Sequence, residues 1–293
     1  MRDVMKSPRA ADVVARALEE DVGSGDATSL ALVDPGAIGV GAIYSRVPCV
    51  VAGATVARAV MKAVDPKLKV KILRADGSCV KPGEEILIFT GRAISILTAE
   101  RVALNFMQRM CATATLAKKF VDATKRWHTL ILDTRKTTPG LRVFEKYAVT
   151  CGGGTNHRFG LYDRILMKDN HRRLWRGGNP DELDQAVIAA RKAFPKLEVE
   201  IEVESIRECK SALKAKPEWI MLDNMSCADM RKCVKLCRGI SKTEASGGIT
   251  LDRAKEVAAT GVTAISLGCL THSAPSIDLT LEWSEKKKGK RAR

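Results

Sequence analysis

Between Ser7 and Glu20 apolar residues recur at helical spacing, which predicts an amphipathic helix. Three alternating stretches follow: VGAIYSRVPCVVAG, KLKVKILRADG and EEILIFTGRA. They are broken at Gly53, Gly77, Pro82, Gly83 and Gly91. Alternation between such breakers predicts strands of an antiparallel sheet. A longer helical pattern then runs from Ser95 to about Lys125. Beyond it the rhythm changes. Short apolar runs (TLILDT, RILMKD, LEVEIEVE, WIMLDN, KTEASG, AISLG) alternate with helical stretches over 181–193, 206–214, 227–237 and 251–259. A repeated βα rhythm implies parallel strands, because parallel neighbours need crossover connections. By rhythm alone the sheet is either a closed barrel or an open, doubly wound one.

The polar residues that end these strands favour the barrel. They are Asp133-Thr134-Arg135-Lys136, Lys168-Asp169-Asn170-His171, Glu202 and Glu204, Asp223-Asn224, Ser246-Gly247-Gly248, and Ser266 with Gly268. A barrel gathers all its strand ends around one mouth. An open sheet gathers only those beside its switch point.

Composition narrows the function classes. The chain has 293 residues, 45% apolar and 28% charged, which excludes disorder for its bulk. No run approaches the roughly 18 apolar residues of a membrane span. The N-terminus has no apolar signal core, so a soluble, cytoplasmic protein is expected. The net charge is +15, and the tail from Lys286 to Arg293 (KKKGKRAR) supplies part of it. Aromatics are only 4% and do not interleave with the basic residues, which argues against nucleic acid. A basic body also gathers small anionic substrates. The nine cysteines are an odd number without zinc-finger spacing, and free thiols are expected.

Several segments carry candidate chemistry. DTRKTTPGLR places Arg135 and Lys136 at a strand end. Three glycines, 152–154, allow tight turns ahead of the donors His157 and Arg158. Lys168 closes an apolar strand, where a buried ammonium demands an anion. Glu198, Glu200, Glu202 and Glu204 alternate with apolar residues, so all four are expected on one strand face, aimed into the barrel. Glu202 with Asp223 suits Mg²⁺, a hard cation that prefers oxygen ligands. EASGGIT and AISLG each offer a strand, a small-residue loop and a helix start, suited to phosphate. The implied substrates are strongly anionic, and at least one is phosphorylated. No Cys-His or Ser-His nucleophile pattern and no His-Glu-x-x-His occurs.

These blocks, in this order, resemble the quinolinate phosphoribosyltransferase family. They are LEEDVGSGDAT, AERVALNFMQRM, DTRKTTPGLR, NHR, LMKDNH, VEIEVES, MLDN, EASGGIT and SLGCLTHSAPSIDLTLE, from Leu18 to Glu282. The resemblance implies an α/β protein: an N-terminal α/β sandwich (1–105, joined by 274–293) and an incomplete TIM-like parallel α/β barrel (106–273). It implies transfer of phosphoribose from phosphoribosyl pyrophosphate to quinolinate with Mg²⁺, giving nicotinate mononucleotide, pyrophosphate and CO₂. Lys136, Lys168, Glu202 and Asp223 would be catalytic. Quinolinate would be held by Arg101, Thr134, Arg135, Lys136, His157, Arg158 and Lys168. Ribose and metal would fall to Glu202 and Asp223, and phosphate to Ser246, Gly247, Gly248, Ser266, Leu267 and Gly268. It further implies a homodimer or larger assembly whose subunits share active sites, with Arg101 reaching the partner's quinolinate. Ala27 stands where the family usually has a larger apolar residue. A barrel phosphoribosyltransferase using a monocarboxylate such as nicotinate is the rival reading, as is a molybdenum-operon relative of unknown substrate. A nucleic-acid-binding protein would explain the charge but not Glu202, Asp223 and the glycine loops.

Overall fold

The structure, a computed structural model, describes residues 3–175, 178–179 and 181–284. The basic tail lies outside the described residues. The chain opens with α1 (Pro8–Val22) and α2 (Ala27–Leu32), and continues through β1 (Ile38–Ser45), β2 (Cys49–Val50), α3 (Ala54–Val64), β3 (Lys69–Ile72), β4 (Cys79–Val80) and β5 (Glu85–Arg92). The long α4 (Ala93–Thr124), β6 (Leu130–Leu132) and α5 (Arg142–Cys151) come next. Then follow β7 (Ile165–Met167), α6 (Asp169–Arg173), α7 (Leu183–Ala193), β8 (Val199–Val203), α8 (Ile206–Leu213), β9 (Trp219–Asp223) and α9 (Cys227–Cys237). The chain closes with β10 (Lys242–Ser246), α10 (Leu251–Ala258), β11 (Ala264–Ser266), α11 (Cys269–His272) and β12 (Leu279–Ser284).

Two compact units share the described residues. One takes those up to Lys118, Thr137–Gly153 and those from Leu270 onward; the other takes Lys119–Lys136 and Gly154–Cys269. The boundary expected at 105 falls inside α4, which continues without a break. In the first unit β12, β1, β5 and β3 form an antiparallel sheet in that order. The helix α4 buries Ile96, Ala99, Ala103, Met107, Met110 and Ala114, spaced three or four apart, within that unit's core. Gly152 ends α5 where a Cβ would stand 2.2 Å from the Ala114 carbonyl oxygen, so the close approach of α5 to α4 requires glycine.

The second unit holds six parallel strands in the order β6-β11-β10-β9-β8-β7. The last strand, β11, pairs with the first, β6, so the sheet rolls round like a barrel. Among the described residues β6 and β7 share no ladder. Thr155 lies beside β6 instead: its N–H donates to the Ile131 carbonyl at 2.8 Å, and its carbonyl accepts from Asp133 N–H at 3.3 Å. The segment bearing His157 and Arg158 thereby enters at the seam.

Local chemistry sets the helix that follows each of three strands. Ser205, Ser226 and Thr250 each cap a helix by accepting from the N–H three residues on: Glu208, Asp229 and Arg253. Each such cap contributes about 1 kcal/mol and stops the strand at a defined point. The polar residue that ends the strand is therefore held at one level around the mouth.

Candidate active site

The strand ends line a cavity of about 260 Å³ within the second unit. Its walls are Thr134, Arg135, Lys136, His157, Arg158, Leu166, Lys168, Met221, Glu244, Ser246 and Ser266. Thr134, Arg135 and Lys136 follow β6, Lys168 follows β7, and Ser246 and Ser266 end β10 and β11. The Lys136 N–H donates to Thr134 Oγ1 at 3.0 Å, which curls the loop after β6. A larger groove, about 740 Å³, is lined by Glu218, Lys242 and Thr263 at the opposite strand ends. It holds none of the expected site residues.

His157 lies in a buried cluster. Its backbone N–H donates to Asp133 Oδ1 at 2.9 Å, and Asp133 is fully buried. Its Nδ1 accepts from the Arg158 N–H at 2.7 Å. Its Nε2 stands 3.2 Å from Glu200 Oε2 and 3.4 Å from Glu244 Oε2. Burial opposes a charge on the imidazole, and so does the Arg158 N–H, which needs an unprotonated Nδ1; the two carboxylates act against both and raise the group to about 9. Burial works to raise Glu200 as well; His157 and Arg164 prevail and lower it, Arg164 Nη1 standing 3.3 Å from Glu200 Oε2. Among the described residues no arginine pairs with Glu244. Burial and the charge of Glu200 raise it.

Arg158 is lowered by burial and then by the like charge of Arg135, so these two guanidiniums converge without annulling each other. Its Nη1 donates to the Arg164 carbonyl at 3.0 Å. Lys168 forms an ion pair with Glu202. The lysine side chain is 46% exposed and the glutamate 8%. Lys168 is thus a half-exposed group just past β7, and the burial expected for it is not found. The reason is length: β7 covers only Ile165–Met167, so position 168 already lies at the mouth.

The four alternating glutamates also divide. Only Glu200 and Glu202 are buried. Glu198 precedes β8 and meets Arg164 Nη2 at 3.1 Å and Trp219 Nε1 at 3.2 Å; Glu204 follows the strand and is exposed. β8 is five residues long, so the outer two fall beyond its ends. Glu202, Glu204 and Asp223 each present an oxygen, and these lie within 4.8 Å of one another. An all-oxygen donor set of this kind suits a hard divalent cation.

The loop after β10 depends on Gly247. It has φ 98°, and a Cβ there would stand 2.1 Å from Asn224 Oδ1. Asn224 itself has φ 52°; its N–H donates to the Ser246 carbonyl at 3.0 Å and its Nδ2 to Asp223 Oδ2 at 2.7 Å. The β9 and β10 ends are thereby locked together, leaving Gly248, φ 55°, open.

Comparison with known proteins decides the family. Residues 26–111 match the family model described as "Quinolinate phosphoribosyl transferase, N-terminal domain", and residues 113–282 match its C-terminal counterpart. The chain belongs to the quinolinate phosphoribosyltransferase family. It is 39% identical over 289 residues to the chloroplastic nicotinate-nucleotide pyrophosphorylase [carboxylating] of Oryza sativa subsp. japonica, covering 92% of this chain and 76% of that one. It is 38% identical over 263 residues to a probable enzyme of the same name from Bacillus subtilis (strain 168), covering 90% and 89%. Among solved structures, the nicotinate-nucleotide pyrophosphorylase from Francisella tularensis superposes with a TM-score of 0.89 at 35% identity, over 97% of this chain and 100% of that one.

Against the family expectation, eight residues meet in the cavity wall: Thr134, Arg135, Lys136, His157, Arg158, Lys168, Ser246 and Ser266. Glu202 and Asp223 stand at the neighbouring ends of β8 and β9. Arg101 is exposed on α4 in the first unit and is not part of the cavity. Leu267 is buried and its N–H donates to the Leu132 carbonyl at 2.9 Å, so that amide closes the barrel and is not offered to a ligand. Sequence gives Glu244 no role, and it marks Asp133 and Glu200 only as a strand-end acid and as one of four alternating glutamates. Each is an acid on or beside a strand that is otherwise apolar, which is the signal that marks them. All nine cysteines are free thiols, and among the described residues no helix is long and apolar enough to cross a membrane.

Proposed function

We propose that this chain transfers the phosphoribosyl group of phosphoribosyl pyrophosphate to quinolinate with loss of CO₂, forming nicotinate mononucleotide and pyrophosphate. The observation that carries the reading is the convergence of Arg135, Lys136, Arg158 and Lys168 on one cavity. Four cations in so small a space suit two carboxylates better than one. The names of the plant and Bacillus relatives support the same activity.

The two guanidiniums and the two ammoniums hold the dicarboxylate, and bidentate arginine contacts set its orientation. The ring nitrogen then faces the sugar carbon from which pyrophosphate departs. Positive charge builds on the sugar in the transition state, and Glu202 and Asp223 stabilise it. Ser246, Gly247 and Gly248 offer hydrogen-bond donors to the 5′-phosphate. Once the ring nitrogen is bonded to ribose it is cationic; the electron pair left on the ring carbon by departing CO₂ is stabilised beside it, and that carbon then takes up a proton from solvent. Glu202, Glu204 and Asp223 would hold Mg²⁺, which when bound supplies neutralising charge to the pyrophosphate group. Lys168 competes with the metal for Glu202 through their ion pair. The active assembly is a homodimer with shared sites, in which Arg101 completes the quinolinate site of the partner subunit.

The test is an assay with quinolinate or nicotinate as acceptor, following pyrophosphate and CO₂ separately. Quinolinate-dependent release of both, requiring phosphoribosyl pyrophosphate, is expected. Equal turnover of nicotinate, or CO₂ without the sugar donor, refutes the reading.

A further inference from the structure

The groove of about 740 Å³ lies within the second unit, at the strand ends opposite the cation-lined cavity. Four cations line it. Arg231 and Lys235 come from α9, Arg238 from its C-terminal cap and Lys242 from the start of β10. All four are exposed. Positions 231, 235 and 238 are four and three apart, so they share one face of the helix. Among the described residues none of the four pairs with a carboxylate. Asp229, the single acid of α9, is held by Lys232 at 3.1 Å. Both acids of the groove wall are also taken: Glu218 by Arg191 at 3.0 Å and Glu198 by Arg164 at 3.1 Å. We propose that this groove is a second binding site, for a nucleoside di- or triphosphate.

Like charges four apart on a helix repel each other and weaken it. The helix dipole accounts for Lys235 and Arg238 at the C-terminal end of α9. It does not account for Arg231, more than one turn back, nor for Lys242 on a strand. A polyanion relieves the repulsion by meeting several of these cations at once, and the planar fork of arginine matches phosphate oxygens. A concave wall of one sign also focuses the potential and concentrates anions. Lys242 is held at this wall by Trp219, its Nζ 5.0 Å from the ring centroid. The nucleoside follows from the rest of the wall. Ile240, 47% exposed, and the half-buried Val234 add apolar surface beside the cations. A phosphate alone makes no use of that surface, whereas a base can cover it. The volume also suits a nucleotide, since small-molecule sites run from about 300 to 1,000 Å³. Nothing in this site depends on what the mouth of the barrel binds.

The test is equilibrium dialysis of the full chain against labelled ATP, with ADP, inorganic pyrophosphate and a random-sequence DNA duplex as competitors. Saturable ATP binding is expected. The double variant Arg231→Glu, Lys235→Glu should raise its Kd roughly 10- to 100-fold, the range for charge-assisted contacts. Lys168→Ala, at the opposite strand ends, should bind ATP as wild type does. Pyrophosphate should compete roughly tenfold or more less well than ADP, because it leaves Ile240 and Val234 uncovered. No saturable binding, or the same loss in Lys168→Ala as in the double variant, overturns the proposal. So does pyrophosphate that competes as well as ADP. A duplex that displaces ATP and binds more tightly would make the groove a nucleic-acid surface, which overturns it too. A second readout needs no variant. Photolabelling of the wild-type chain with 8-azido-ATP should place adducts in the segment from Arg231 to Thr243. Adducts confined to Thr134–Lys136, Arg158 or Lys168 overturn the assignment.

Discussion

Lys168 and Glu202, at the ends of the neighbouring strands β7 and β8, form an ion pair at the mouth of the barrel. In the proposed reaction one partner would bind the acceptor and the other would serve the sugar and the metal. On that proposal the pair links the two halves of the reaction, and each ligand would compete with it.

Lys168→Ala should lower kcat/KM for quinolinate by roughly 100-fold or more, since a charge-assisted contact to substrate is worth about 1.5–3 kcal/mol and often more in a closed site. The melting temperature should fall only slightly, because the lysine is half-exposed and its pair with the buried Glu202 contributes about 1 kcal/mol. Near-normal activity in the variant would remove Lys168 from the site.

Gly247→Ala should lower stability by about 1–3 kcal/mol, because alanine is strained at positive φ and its Cβ would strike Asn224. KM for phosphoribosyl pyrophosphate should rise, since Ser246 and Gly248 move with the loop. Denaturant midpoints and steady-state kinetics check this; an alanine variant with wild-type values of both refutes it.

Stability should fall as pH rises from about 6.5 to 9. His157 has an ordinary value of 6.5 and is raised to about 9 on folding. A group raised on folding contributes fully below its unfolded value, and that contribution is lost as pH climbs through its folded one. The loss is at most on the order of 3 kcal/mol. Urea unfolding at the two ends of this range, for wild type and His157→Gln, should show a steeper decline in wild type. Parallel declines would count against the cluster.

Removal of divalent cations by a chelator should abolish turnover, and added Mg²⁺ should restore it. Asp223→Asn should raise the Mg²⁺ concentration needed, by removing one anionic oxygen ligand. A chelated enzyme at full rate would show that no metal is required.

Shared active sites can be tested by refolding Arg101→Ala and Lys168→Ala together. If Arg101 serves the partner subunit, a mixed dimer carries one doubly damaged and one intact site. Half the dimers are mixed after random pairing, so about a quarter of wild-type activity should return. No recovery, although mixed dimers form, would place Arg101 in its own subunit's chemistry or outside it.

Much of the architecture was legible from local order alone. The βα rhythm, the helices over α1, α4 and α7–α10, and the polar residues that end each strand follow from periodicity and capping, which depend on neighbours in the chain. What sequence could not decide was which of several equivalent residues would be buried. Glu198, Glu200, Glu202 and Glu204 read alike, yet the five-residue length of β8 and the neighbours around it separate them. Lys168 reads as buried only if β7 runs one residue further than Met167, where it ends. The cluster of His157, Glu200 and Glu244 joins three segments far apart in the chain, and only closure of the barrel brings them within hydrogen-bond range. Residue types and spacing determined which chemistry this protein has available. The tertiary structure decided which charges are paired, because pairing and desolvation depend on distances that no local pattern encodes.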